Sequence, residues 1–85
     1  MRIWLISMLI AGTTLISRAQ TFEEYMKLGD EFYAARNYKE AIFNFTLAIG
    51  LQPNSSKGYW YRGDCYRETK EYEKAITDYE IAVDL

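Results

Sequence analysis

The chain has 85 residues, a formal charge of −2, 49% apolar residues and 26% charged residues, which is the composition of one small folded unit and not of a disordered segment. It carries no basic excess and no Lys/Arg block, so nucleic acid is not an expected partner. Histidine is absent and Cys65 is the sole cysteine. The commonest general acid/base, the commonest metal ligand and an intrachain disulfide are thereby lost together. We expect no metal, no cofactor and no enzymatic chemistry.

Residues 1–19 read as an address. Met1-Arg2 gives a positive start, Ile3 to Ile16 form an uncharged, mostly apolar run, and Ser17-Arg18-Ala19 supplies small residues one and three places before a cut after Ala19. Those three parts make a secretory signal. The apolar run of 14 residues falls short of the ~18–20 that span a bilayer. Export to the periplasm or the exterior is expected, with cleavage leaving residues 20–85 and no remaining membrane contact. The rival is an uncleaved anchor.

Four helices follow. Thr21-Phe22-Glu23-Glu24 forms a capping box that opens a helix to about Ala35. Asn37 leads a second cap, and helix resumes through Leu51, where Gln52-Pro53-Asn54 stops it. Ser55 or Ser56 caps a third helix to about Thr69, and a fourth starts near Tyr72. Helices this short are marginal alone, so stacking must hold them.

A shift of 34 residues lays 22–51 on 56–85 with eight identities: Tyr25/Tyr59, Gly29/Gly63, Asp30/Asp64, Tyr38/Tyr72, Ala41/Ala75, Ile42/Ile76, Ala48/Ala82 and Leu51/Leu85. Conservative pairs include Phe32/Tyr66, Arg36/Lys70, Asn44/Asp78 and Phe45/Tyr79. Matches at spacings of three, four and seven trace one face of a helix. The sequence is a structural duplication. Gly29 and Gly63 each cost about 1 kcal/mol inside a helix, a tolerable loss where a neighbouring helix must approach closely. Large rings set against small residues would interlock the layers.

These residues resemble the tetratricopeptide repeat family. The first copy reads Tyr25-x-x-Leu28-Gly29-x-x-Phe32, then Ala41-x-x-x-Phe45, Ala48 and Pro53. The second reads Tyr59-x-x-Arg62-Gly63-x-x-Tyr66, then Ala75-x-x-x-Tyr79 and Ala82. The resemblance implies an all-α fold in which two antiparallel helical hairpins, residues 20–54 and 55–85, stack as a short right-handed superhelix. Arg62 departs from the family's leucine and should snorkel to solvent. The second copy lacks the closing proline loop and the capping helix, so a seam around Ala75, Tyr79 and Ala82 should lie uncovered, a route to a homodimer.

The resemblance also implies a protein or peptide partner, held on a concave face lined by the first helix of each hairpin. Carried over, that face presents Met26, Lys27, Asp30 and Tyr33, with Trp60, Tyr61, Asp64 and Arg67. The family's Lys/Asn/Arg carboxylate clamp is broken here, since Met26 and Asp30 hold matching places. Tyr33, Trp60 and Tyr61 suit apolar anchors, and the two aspartates suit basic or amide groups. Paired carboxylates also suit acid/base or metal chemistry, but no third ligand accompanies them. Cys65 should be a small buried filler. Asn44-Phe45-Thr46 and Asn54-Ser55-Ser56 match a glycosylation acceptor pattern. The leading expectation is an exported interaction scaffold. The alternatives are the N-terminal part of a longer, mainly structural array and a membrane-anchored assembly factor.

Overall fold

A computed structural model describes residues 20–85; the signal expected at 1–19 lies outside the described residues. The described chain is all-α: α1 (Phe22–Ala34), α2 (Tyr38–Leu51), α3 (Ser56–Glu68) and α4 (Tyr72–Asp84), with no strand among the described residues. Helix α1 packs on α2 and α3 on α4 as two hairpins, and α2 packs on α3 to join them.

Capping explains where the helices begin and end, with corrections to the sequence reading. Thr21 Oγ1 accepts from Glu24 N at 3.1 Å, which starts α1 as expected. Asn37, Ser55 and Glu71 occupy the other N-cap positions without a side-chain cap bond. The turn at Asn37 is set instead from the C-terminal side of α1. Arg36 takes a left-handed φ of 62°, Arg36 N donates to Tyr33 O, and Asn37 N donates to Phe32 O at 2.8 Å. Lys70 repeats this with φ 64°, and Glu71 N donates to Tyr66 O at 2.8 Å. Both hairpins therefore turn on the same Schellman motif.

That motif ordinarily places glycine where Arg36 and Lys70 stand, because a Cβ in the left-handed region costs roughly 1 kcal/mol. The Lys70 ammonium is not used in any hydrogen bond or ion pair among the described residues. Lys70→Gly is accordingly expected to raise the melting temperature by a few degrees (about 4–8 °C per kcal/mol at this size), checked by thermal circular dichroism.

The core follows the repeat. Met26, Ala41, Phe45, Ala48 and Cys65 are buried together, with Phe22, Tyr25, Phe32, Tyr33, Ile42 and Tyr61 packed around them. The Phe45 ring fills the space beside Gly29: a Cβ on Gly29 would stand 2.3 Å from Phe45 Cε1. In the second hairpin, a Cβ on Gly63 would stand 2.9 Å from Tyr79 Cε1. Tyr61 and Phe45 meet in a T-shaped pair at 5.8 Å between centroids and 75°, tying one hairpin to the next.

The structure departs from three expectations. Met26, expected on the partner-facing surface, is 4% exposed; it falls four residues after Phe22 and three before Gly29, inside the stripe that faces α2. Arg62 does not snorkel. It donates from Nε and Nη2 to Asp78 Oδ2 and Oδ1, both at 2.8 Å, and the Asp78 side chain is only 3% exposed. The seam at Ala75 and Ala82 is buried. The uncovered row on α4 is Tyr72, Ile76 and Val83, with Val83 74% exposed. Their α2 counterparts Tyr38 and Ile42 are half-buried and Ile49 is buried.

Candidate functional site

Helices α1 and α3 are held side by side by the α2 layer beneath them, and a cleft of about 170 Å³ opens between them. Asp30 and Tyr33 line it from α1, Tyr61 and Asp64 from α3, and Phe45 from below on α2. Asp30 and Asp64 are counterparts in the duplication, so the repeat itself delivers one carboxylate from each hairpin. Tyr33 and Tyr61 have no such relation. The cleft is therefore built from a repeated acid and unrepeated rings.

Each wall is fixed by a neighbour. Tyr79 Oη donates to Asp64 Oδ1 at 2.5 Å across the second hairpin. Tyr33 packs edge-on against Tyr38 at 5.4 Å. Trp60, 47% exposed, leans on Tyr79 at 5.2 Å between centroids. The Lys57 ammonium stands 5.4 Å from the centre of Tyr61, and Arg67 Nη1 is 3.7 Å from Asp64 Oδ1 along α3. Arg67 is solvent-exposed there and the separation is too long for a hydrogen bond, so the pair holds Arg67 loosely. Asp30 has no hydrogen-bond or ion-pair partner among the described residues.

Of the predicted surface residues, the cleft gathers Asp30, Tyr33, Tyr61 and Asp64. Lys27 and Trp60 are exposed beyond its lining, and Arg67 stands at its edge. Met26 belongs to the core instead. Phe45 was expected only as filler, and it forms the floor. The ion pair of Arg62 and Asp78 escaped the sequence reading, although a signal exists. Leu28 and Asn44 in the first copy become Arg62 and Asp78 in the second, two matched positions changing together. Asn44 itself is buried and donates from Nδ2 to Glu40 O at 2.9 Å, which takes the first glycosylation pattern out of reach. Asn54 lies exposed in the turn between hairpins.

Protonation reflects the same field. Burial raises Asp30, with Lys57 opposing. Burial also raises Tyr33, reinforced by Glu68 and Asp64 and opposed by Arg67. The Cys65 thiol, fully buried in the core, is pushed up to about 12 by burial first and then by Asp64 and Asp30. Tyr79 is pushed up to about 12 by burial and by its bond to Asp64.

An unfolded chain would ionise these two groups near their ordinary values of 9.0 and 10.0. The folded chain keeps their protons to higher pH, so their stabilisation is intact below pH 9 and is lost as pH rises towards 12. The melting temperature should fall across that window, and Cys65→Ala with Tyr79→Phe should flatten the fall. The native thiol should also resist iodoacetamide at pH 8 and react once the chain unfolds.

Among the described residues no cluster of three or more His, Cys, Asp or Glu could hold a metal ion. None of the described helices is long and apolar enough to cross a membrane. What repeats is the pairing of glycine with a ring at a spacing of 34, and the tetratricopeptide repeat matches residues 23–55 and again residues 56–85. The chain belongs to the tetratricopeptide repeat family.

Tetratricopeptide relatives are spread among larger proteins. The chain is 34% identical over 65 residues to outer dynein arm-docking complex subunit 4 of Xenopus laevis, covering 76% of this chain and 12% of that protein. It is 38% identical over 56 residues to heat shock protein sti1 homolog of Schizosaccharomyces pombe, covering 66% and 10%. Against human DnaJ homolog subfamily C member 7 it is 40% identical over 45 residues, covering 53% and 9%. The chain thus spans about a tenth of the length of these relatives. Family membership and relatives alike support a protein–protein interaction module, and tetratricopeptide repeats are generally scaffolds rather than enzymes.

Proposed function

We propose that this protein is an exported docking module that binds a peptide or protein segment along the face built by α1 and α3. The observation that carries the reading is the cleft of Asp30, Tyr33, Phe45, Tyr61 and Asp64 flanked by exposed Trp60. Aromatic side chains that are already packed lose little entropy on binding and tend to dominate interface energies. Docking here involves no bond chemistry. Residues 1–19 supply the export half of the proposal, and mass spectrometry of the exported protein should find Gln20 at its N-terminus.

Selection of peptides by phage display, followed by affinity measurement on variants, tests the docking half. Trp60→Ala and Tyr61→Ala are expected to weaken selected peptides by about 2 kcal/mol each, some 30-fold. Unchanged affinities in both variants would sink the surface.

The row of Tyr72, Ile76 and Val83 on α4 favours a second reading beside the first. We infer that it closes against the same row of a second copy. A head-to-tail stack is disfavoured, because the α2–α3 seam seats Ile49 on Gly58, whereas α1 offers Glu24 at the matching place. A two-fold pairing buries like against like. Sedimentation equilibrium should show a dimer that Ile76→Lys dissociates, and a wild-type chain monomeric at the highest concentration contradicts it.

A further inference from the structure

We propose that the cleft between α1 and α3 is a socket for one cationic side chain, lysine or arginine, of the docked peptide. The inference rests on the docking surface proposed above and specifies what its centre recognises.

Four features lead to a cation. First, the cleft is of single-side-chain size, about 170 Å³. It is too small for a helix and matches the volume of one long side chain. Second, Tyr33 and Tyr61 line it over the floor of Phe45, and the Tyr61 ring already carries the Lys57 ammonium at 5.4 Å, which shows that a cation is compatible with this wall. Third, one carboxylate enters from each side. Asp64 is held in place by the Tyr79 hydroxyl, so its position is set before a ligand arrives, while Asp30 has no partner among the described residues and remains open to a donor. Charge-assisted bonds to such groups are the stronger kind.

The fourth feature is the local field. Asp64 contributes to holding the protons on Tyr33, Cys65 and Tyr79, three groups on three different helices around the cleft. Two resident cations stand near, Lys57 acting on Asp30 and Arg67 on Asp64, and neither is hydrogen-bonded to its aspartate. Lys57 is exposed above the Tyr61 ring, and Arg67 is 53% exposed with its nearest nitrogen 3.7 Å from Asp64. With Glu68 also near, the acids outnumber them. An anionic or aliphatic side chain entering here would leave Asp30 desolvated and unpaired, which is unfavourable.

The test titrates N-acetyl-arginine methylamide, the lysine analogue and the neutral isostere N-acetyl-citrulline methylamide into the full chain, following the ring resonances of Tyr33 and Tyr61. Arginine or lysine should shift both rings saturably, with citrulline at least about tenfold weaker. Asp30→Asn should reduce the cationic response about tenfold while leaving the circular dichroism unchanged. Citrulline matching arginine, or Asp30→Asn binding as wild type, overturns the socket. Peptides that need Trp60 but place no lysine or arginine against Tyr61 also overturn it and leave the docking surface standing. A saturable arginine response without any Trp60-dependent peptide supports the socket and removes the wider surface.

Discussion

Alanine at Gly29 should lower the melting temperature by more than 10 °C, while alanine at Gly50 should raise it by several degrees. The two substitutions add the same methyl to a helix, where it gains about 1 kcal/mol of intrinsic propensity at an interior position. They differ chiefly in what the methyl meets, with a smaller propensity gain at Gly50 because it lies in the last turn of α2. At Gly29 it would stand 2.3, 2.6 and 2.7 Å from three atoms of the Phe45 ring. That ring is 1% exposed and pinned on another side by Tyr61. It has nowhere to go, so α1 must lift off α2. Overpacking usually costs about 1–3 kcal/mol, and a ring that cannot move puts this case at or above the top of that range; in a domain this small each kcal/mol is roughly 4–8 °C. At Gly50 nothing lies within 4 Å, and the propensity gain stands alone. Gly63→Ala should fall between them. Its Cβ would crowd Tyr79 at 2.9 Å, but that ring is only half-buried and has more room to give than Phe45. Thermal melts of the three variants give the order.

The second large effect concerns Arg62 and Asp78. Arg62→Leu alone should destabilise the chain by about 3 kcal/mol, because it leaves the Asp78 carboxylate buried without its partner. That figure sits at the low end for buried pairs, since the Arg62 side chain is 19% exposed and water screens it in part. Asp78→Asn alone strands the guanidinium and should cost less, for the same reason. The double variant Arg62→Leu with Asp78→Asn installs the pair found at Leu28 and Asn44 in the first repeat. There the asparagine satisfies itself on Glu40 O, and Lys74 O offers the matching acceptor in the second repeat. Stability should return to within about 1 kcal/mol of wild type, as apolar replacements of buried ion pairs commonly show. A double-mutant cycle from denaturant unfolding measures this. Additive losses would mean that the two repeats do not share one packing scheme.

The glycine–ring locks were legible because duplication doubles the evidence: Gly29 with Phe45 and Gly63 with Tyr79 recur at the same offset, and a helix period explains their spacing. The helix stops at Pro53 and the start at Thr21 were equally plain. Other features depend on three-dimensional partners. Met26 has the spacing of a core residue, yet the family pattern drew it to the partner-facing surface. Arg62 looked like an exposed intruder because its partner lies on another helix, and only the joint change at Asn44/Asp78 betrays it. The turns at Arg36 and Lys70 carry no glycine, so nothing local announced a left-handed residue. The cleft was half legible. Its aspartates repeat and could be found by alignment, whereas Tyr33 and Tyr61 come from unrelated positions, and Phe45 reaches it from the layer below.

The docking surface on α1 and α3 is most directly tested by mapping amide and ring chemical shifts of the full chain on adding a phage-selected peptide. The prediction is a continuous footprint over Asp30, Tyr33, Trp60, Tyr61 and Asp64, weak or absent on the outer faces of α2 and α4. A footprint centred on Ile76 and Val83, with Tyr33 and Tyr61 unmoved, would contradict it.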